Sequence, residues 1–198
     1  MNKSAQNQYP INALSKGRWS PRAFSNQPVE PGQLKSILEA ARWSASAGNE
    51  QPWYFMVGIH PDETWMKLFD TLMEGNKTWV GSVPVLLLSI RKKTRGEKNE
   101  ENGYSSYDTG QSVAHLSIEA MNHGLYVHQM AGFFPEKAVL HFQIPQDYQP
   151  LTVIAIGYPG DPESLTGDLK KYELAIRSRK SFDEFVFSGA FGKKSGLF

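Results

Sequence analysis

The clearest pattern in the chain runs from Tyr104 to Phe133, where helical periodicity gives way to a short strand. Between Asp108 and His123 the apolar positions are Val113, Ala114, Leu116, Ile118, Ala120 and Met121. At about 100° per residue they cover roughly 200° of the helix circumference. A surface helix needs an apolar stripe little wider than about 100°, so this one is expected to pack on two sides, against its own domain and against a partner subunit. Gly124 stops the helix, and Leu125–Met130 reads as a strand that ends at Ala131-Gly132.

The same periodicities place the other elements. Ile11–Lys16 predicts a short helix, and 28–43 a longer one with Pro31 in its first turn and Leu34, Ile37, Leu38 and Ala41 at helical spacing. Trp53–Ile59 reads as a strand, and Pro61–Glu74 as a helix carrying Trp65, Leu68, Phe69 and Leu72. Val83–Arg91 is a buried strand, with Pro84 near its start as strand prolines require. Lys92–Gly103 is charged and free of apolar residues, the composition of a mobile loop. A helix Pro135–Phe142 and a strand Leu151–Tyr158 follow. The pattern describes one α+β domain over 10–187, a flexible N-terminus over 1–9 and an irregular C-terminal arm over 159–198. Such an arm is expected to hold on to a second subunit.

Composition narrows the class. A formal charge of +1 over 198 residues gives no global reason to expect nucleic acid or an anionic membrane as partner. The absence of cysteine removes disulfides, thiolate nucleophiles and cysteine metal sites together. The N-terminal segment has no apolar signal-peptide core. The apolar run Val83–Leu88 falls far short of the roughly 18 residues of a spanning helix. A cytoplasmic protein is expected. Five Trp, eight Tyr and eleven Phe suit a large core, an oligomer interface or a flat aromatic ligand.

Several apparent motifs have plainer readings. Asp108-Thr109-Gly110 matches an aspartic-protease tripeptide but opens a helix, where Asp108 serves as an N-terminal cap. Gly110-Gln-Ser112 resembles a nucleophile elbow, but no strand precedes it. His115, Glu119 and His123 share a helix face at i, i+4 and i+8, a spacing suited to a metal or to an ordinary polar stripe; the polar stripe is sufficient. Neither a dinucleotide-binding nor a P-loop glycine pattern is present. Three patches remain. Arg18-Trp19-Ser20-Pro21-Arg22 offers two guanidinium groups and a hydroxyl, and guanidinium forks suit phosphate. Ser44–Gln51 is rich in small residues, with Asn49 and Gln51 able to read ring carbonyl and NH groups. Arg177-Ser-Arg179-Lys180 adds positive charge in the arm. Together they suit a phosphorylated aromatic ligand.

In this order the patches resemble the FMN-dependent nitroreductase family. Its first signature, R-x-S-x-R-x-F/Y, appears as Arg18-Trp-Ser20-Pro-Arg22-Ala-Phe24, and its second as Ser44-Ala45-Ser46-Ala-Gly-Asn49-Glu-Gln51-Pro52-Trp53-Tyr-Phe55. Asp108-x-Gly110 leading to Gly124-Leu125, the turn Gly132-Phe133, the strand Ile154–Tyr158 and the run from Arg179 to Glu184 complete a match over residues 12–187. Ala45 replaces the usual proline, Ala47 a common serine, and Ala131 a glutamate that some members place beside the flavin.

The resemblance implies a central, mostly antiparallel sheet flanked by helices, in an intertwined homodimer with flavins at its interface. It implies that Arg18, Trp19, Ser20 and Arg22 border the FMN phosphate and ribityl chain, with Arg179, Arg177 and Lys180 adding charge. Ala45, Ser46, Asn49 and Gln51 would face the isoalloxazine, and the backbone of Met130, Ala131 and Gly132 would lie near its reactive N5. Asn76 and Lys77 are candidates for the N1–C2 edge, and Tyr104 and Tyr107 for pocket walls. The flavin would carry the chemistry with no protein nucleophile and no metal, taking hydride from NAD(P)H and reducing a small flat electrophile such as a nitroaromatic or quinone. The same fold also hosts dehalogenation, flavin fragmentation and azoline or peptide oxidation, and a non-catalytic flavin-binding role is a further alternative.

Overall fold

The computed structural model describes residues 3–197; residues 1–2 of the expected flexible N-terminus and residue 198 of the arm lie outside them. The elements are α1 (Ala13–Gly17), α2 (Pro31–Arg42), β1 (Trp53–Ile59), α3 (Glu63–Thr71), α4 (Glu74–Val80) and β2 (Val85–Lys92). There follow β3 (Thr94–Arg95), β4 (Glu100–Glu101), α5 (Ser105–Asn122), β5 (Tyr126–Met130), α6 (Pro135–Phe142), β6 (Tyr148–Gly157) and α7 (Gly167–Leu174).

The order β1-β2-β6-β5 makes one sheet whose neighbours all run antiparallel. Its central strands are buried without alternation from Val85 to Ile90 and from Val153 to Gly157. Because successive strand side chains point to opposite faces, unbroken burial means that both faces are covered. Leu86, Leu88, Val153 and Ala155 join Trp65, Leu68, Leu72 and Trp79 on the α3–α4–α6 side. Leu87, Ile154 and Ile156 join Ile37, Ala41, Val113, Leu116 and Ala120 on the α2–α5 side.

Several expectations are corrected. The helix expected over Pro61–Glu74 is two helices. Asp62 caps the first, accepting from the Trp65 N–H at 2.7 Å, and the chain breaks at Leu72, which bridges to Phe133 instead of continuing the helix. The charged segment after β2 is not a featureless loop, since Thr94 pairs with Glu101 and Arg95 with Glu100. The arm contains α7. Asp108 is not a cap: α5 begins three residues earlier, and Asp108 lies buried in its first turn. Within the chain, the second side of α5 is only partly covered. Met121 reaches α1, its terminal methyl 3.2 Å from where a Cβ on Gly17 would stand, while Ala114 and His115 remain exposed. Residues 3–9, expected to be flexible, are tied to the domain by a 2.9 Å bond from the Ala5 N–H to the Lys16 carbonyl and by a Tyr9–Phe182 ring contact.

Candidate functional site

The segment from α1 into the sheet, Arg18–Arg22, lies between β5 and the C-terminal arm. Nδ1 of His128 on β5 lies 2.7 Å from the Pro21 carbonyl, and the Trp19 and Tyr126 rings meet edge-on at 6.2 Å. Arg18 Nη1 donates to Ser20 Oγ at 3.3 Å. From the arm, Arg177 Nη1 donates to the carbonyls of Lys16 at 3.0 Å and Lys3 at 2.8 Å. The pKa of Arg18 is pulled down, first by burial and then by the charges of Arg177 and Arg179, so these guanidinium groups feel one another. Arg22 lies 5.6 Å from the Tyr172 ring centre, and the Lys3 ammonium 4.3 Å from that of Trp19. Among the described residues, none of Arg18, Arg22, Arg177 and Arg179 is in an ion pair. Converging cations repel one another, and an anion held in guanidinium forks would relieve that repulsion. Lys180 is exposed and outside this network.

The Ser44–Gln51 turn is a second, separate feature. Gly48, Asn49 and Gln51 take φ values of 60°, 57° and 47°, a left-handed run that glycine tolerates and other residues adopt at a cost. Gln51 N–H donates to Ser46 Oγ at 3.0 Å, and Gln51 Nε2 donates to Asn49 Oδ1 at 3.1 Å. The Ala47 N–H donates to Asp108 Oδ2 at 3.1 Å, which fastens the turn to α5. Ala45, Asn49 and Gln51 are exposed. The side chains able to read a polar ring edge therefore face outward from a strained, braced backbone.

The third feature is the end of β5. Met130 is buried and Ala131 exposed. The Gly132 carbonyl accepts two donors, Asn76 Nδ2 at 2.9 Å and the Met73 N–H at 3.0 Å. A Cβ on Gly132 would stand 2.7 Å from Asn76 Nδ2, so only glycine leaves this arrangement intact. The break between α3 and α4 is what delivers both donors. Asn76 is thus committed to the backbone, and Lys77 pairs with Glu74 at 3.1 Å. Tyr104 and Tyr107 are 61% and 69% exposed.

The structure joins Arg18–Arg22 with Arg177 and Arg179, while the Ser44–Gln51 and Ala131–Gly132 turns are held by other elements. An open hollow of about 560 Å³ between α2 and α5, lined by Lys35, Glu39, Trp43 and Glu119 among others, touches none of these segments. The sequence reading missed His128, Lys3 and Glu173. Glu173 is buried in α7 and accepts from the Arg22 N–H at 2.8 Å. Each is a lone residue in an unremarkable local pattern, legible only through contacts more than a hundred residues away. The apparent motifs of α5 resolve locally: Thr109 Oγ1 donates to the Ser105 carbonyl at 2.7 Å, and His123 Nε2 lies 3.0 Å from Glu119.

Fold and site together define an α+β protein with an anion-receptive arginine cluster, a polar strained turn and a glycine edge. The family model for nitroreductases matches residues 15–78, which hold the first two of these features' leading segments. A solved structure of an FMN-containing oxidoreductase is similar over 98% of both chains, with 33% identity and a TM-score of 0.91. An uncharacterised 15.4 kDa protein of Mycolicibacterium smegmatis is 30% identical over 131 residues, 66% of this chain and 86% of its own length. An NADH dehydrogenase of Thermus thermophilus is 26% identical over 175 residues, 73% of this chain and 84% of its own. The chain belongs to the nitroreductase family. No helix among the described residues is long and apolar enough to cross a membrane.

Proposed function

We propose that this protein is a cytoplasmic, homodimeric FMN-dependent oxidoreductase that takes hydride from NAD(P)H and reduces small flat electrophiles, nitroaromatics or quinones, by a ping-pong mechanism. The observation that carries the reading is the convergence of Arg18, Arg177 and Arg179 beside Ser20 with no ion-pair partner among the described residues. The FMN bound by one similar solved structure and the NADH dehydrogenase name of one relative support it.

The residues fit the cofactor. Arg18, Ser20, Arg22, Arg177 and Arg179 would bind its phosphate and ribityl chain through charge-assisted hydrogen bonds. Ser46, Asn49 and Gln51 would meet the polar edge of its ring, and the exposed Ala131, held in place by the packing of Gly132 against Asn76, would bring its backbone near the ring. When bound, FMN supplies the two-electron chemistry between the two substrates. In one chain the ring-reading turn is fastened to α5 and not to the arginine cluster; a second copy would supply the missing juxtaposition.

Protein purified without added flavin should be yellow, with FMN stoichiometric to the chain, and anaerobic NADH or NADPH should bleach it. A colourless preparation that takes up no FMN overturns the proposal. Arg18→Ala should weaken FMN binding by about 1.5–3 kcal/mol, the contribution of a charge-assisted hydrogen bond. Unchanged affinity would remove this residue from the phosphate site.

A further inference from the structure

Among the described residues, the charged side chains buried from solvent are Asp108 and Glu173, at 2% and 1% exposure. Removing a carboxylate from water without compensation costs several kcal/mol, so each position needs a reason. Neither is in an ion pair among the described residues. Each instead accepts from main-chain N–H groups far away in sequence. Asp108 Oδ2 takes the Ala47 N–H at 3.1 Å. Glu173 Oε2 takes the Arg22 N–H at 2.8 Å, and its Oε1 the Ala23 N–H at 3.4 Å.

Local structure does not explain Glu173. It sits in the last turn of the eight-residue α7, where the helix dipole disfavours a negative charge. A residue that breaks a local rule while buried is held there by what it does elsewhere. The Lys3 ammonium binds the main-chain carbonyl of Glu173 and feels its carboxylate charge, so the local field is positive. Because both carboxylate oxygens turn to backbone amides, the carboxylate steadies the Arg18–Arg22 loop without drawing its guanidinium groups into ion pairs. Asp108 is better placed locally, in the first turn of α5. Its acceptor reaches across to the segment where three residues in four hold left-handed φ values.

We propose that Asp108 and Glu173 are positioning residues that fix the backbone of the two cofactor-contacting segments, Glu173 at the phosphate end and Asp108 at the ring end. This rests on the FMN reading given above. The division of labour gives the two residues different signatures. Glu173 governs groups that meet the phosphate and the ribityl chain, of which riboflavin keeps only the second. Asp108 governs groups that meet the isoalloxazine, which FMN and riboflavin share.

The test titrates flavin-free wild type, E173Q and D108N with FMN and with riboflavin, and measures the midpoint potential of the bound flavin. E173Q should raise the Kd for FMN at least about tenfold and that for riboflavin by a factor at least about threefold smaller, with the potential unchanged. D108N should raise both Kd values by the same factor and shift the potential. Parallel loss of both flavins in E173Q, or an unchanged FMN Kd in either variant, overturns the inference. Should E173Q not fold, E173D keeps the charge but withdraws it by one methylene, and the same selective loss of FMN is required of it. Wild-type protein that binds neither flavin overturns the FMN reading and this inference with it, an outcome distinct from failure of the inference alone.

Discussion

His128 shows how much one residue carries at the junction of β5 and the arginine segment. Its ring lies 4.7 Å from that of Trp79, and its Nδ1 meets the Pro21 carbonyl. Burial pulls its pKa down to about 4; the Pro21 carbonyl opposes this, and Arg22 and Arg18 add to it. An unfolded histidine titrates near about 6.5, so between that value and about 4 the unfolded chain binds more protons than the folded one. Stability from this group is therefore complete above about pH 6.5 and is lost as the pH falls towards the folded value, by at most about 3 kcal/mol. Denaturant unfolding at pH 7 and pH 4.5 should show a larger loss for wild type than for His128→Gln. Equal losses in the two proteins would contradict the assignment.

At the scale of elements, the informative place is the break between α3 and α4. Periodicity carried the helix through Leu72 because Trp65, Leu68, Phe69 and Leu72 share one helical face, and local pattern has no means of seeing that Leu72 pairs with Phe133. Tertiary pairing won over local preference, and that choice places Met73 and Asn76 on the Gly132 carbonyl. The four strands of the main sheet and the boundaries of α6 were legible because burial and turn residues mark them directly, whereas β3 and β4 lie in a charged segment with no such mark. Arg18, Ser20 and Arg22 were legible as a candidate anion site only, because their side-chain chemistry is compressed into five residues. α7 was not, since its Gly-Asp-Leu-Lys-Lys-Tyr-Glu-Leu sequence has too few apolar residues to declare a face. A proline at position 73 tests the break. Met73 has φ −69°, and Leu72 before it has ψ 145°, both compatible with proline. Met73→Pro should therefore fold, and its melting temperature should stay within about 4 °C of wild type, because losing one hydrogen bond is offset by a stiffer unfolded chain. A collapse in stability would show that the Met73 N–H carries more than its geometry implies.

For the molecule as a whole, the arm carries exposed apolar residues, Ile176 at 81%, Phe185 at 56%, Phe191 at 97% and Leu197 at 78%, while others such as Trp43 and Leu140 are exposed elsewhere. Together with the uncovered Ala114–His115 side of α5, the arm residues are the surface that the proposed homodimer would bury. Sedimentation at micromolar concentration should give a dimer, and Ile176→Asp with Phe191→Asp should lower both its association and its FMN content. A monomer that keeps its full complement of FMN would separate flavin binding from dimerisation and remove the second subunit from the site.

The contact between Glu173 and the amides of Arg22 and Ala23 spans about 150 residues, and this orders events during biosynthesis. A nascent chain can lay down Arg18, Ser20 and Arg22 within the first moments of translation. It cannot brace them until α7 has emerged, nor complete the cationic cluster until Arg179 has followed. At about 5–20 residues per second the gap is of the order of ten seconds. During that interval the cationic cluster is incomplete. On the proposed reading, flavin loading would follow synthesis of the arm, and a chain truncated before α7 would lack both the Glu173 brace and the Arg177 and Arg179 part of the proposed phosphate site.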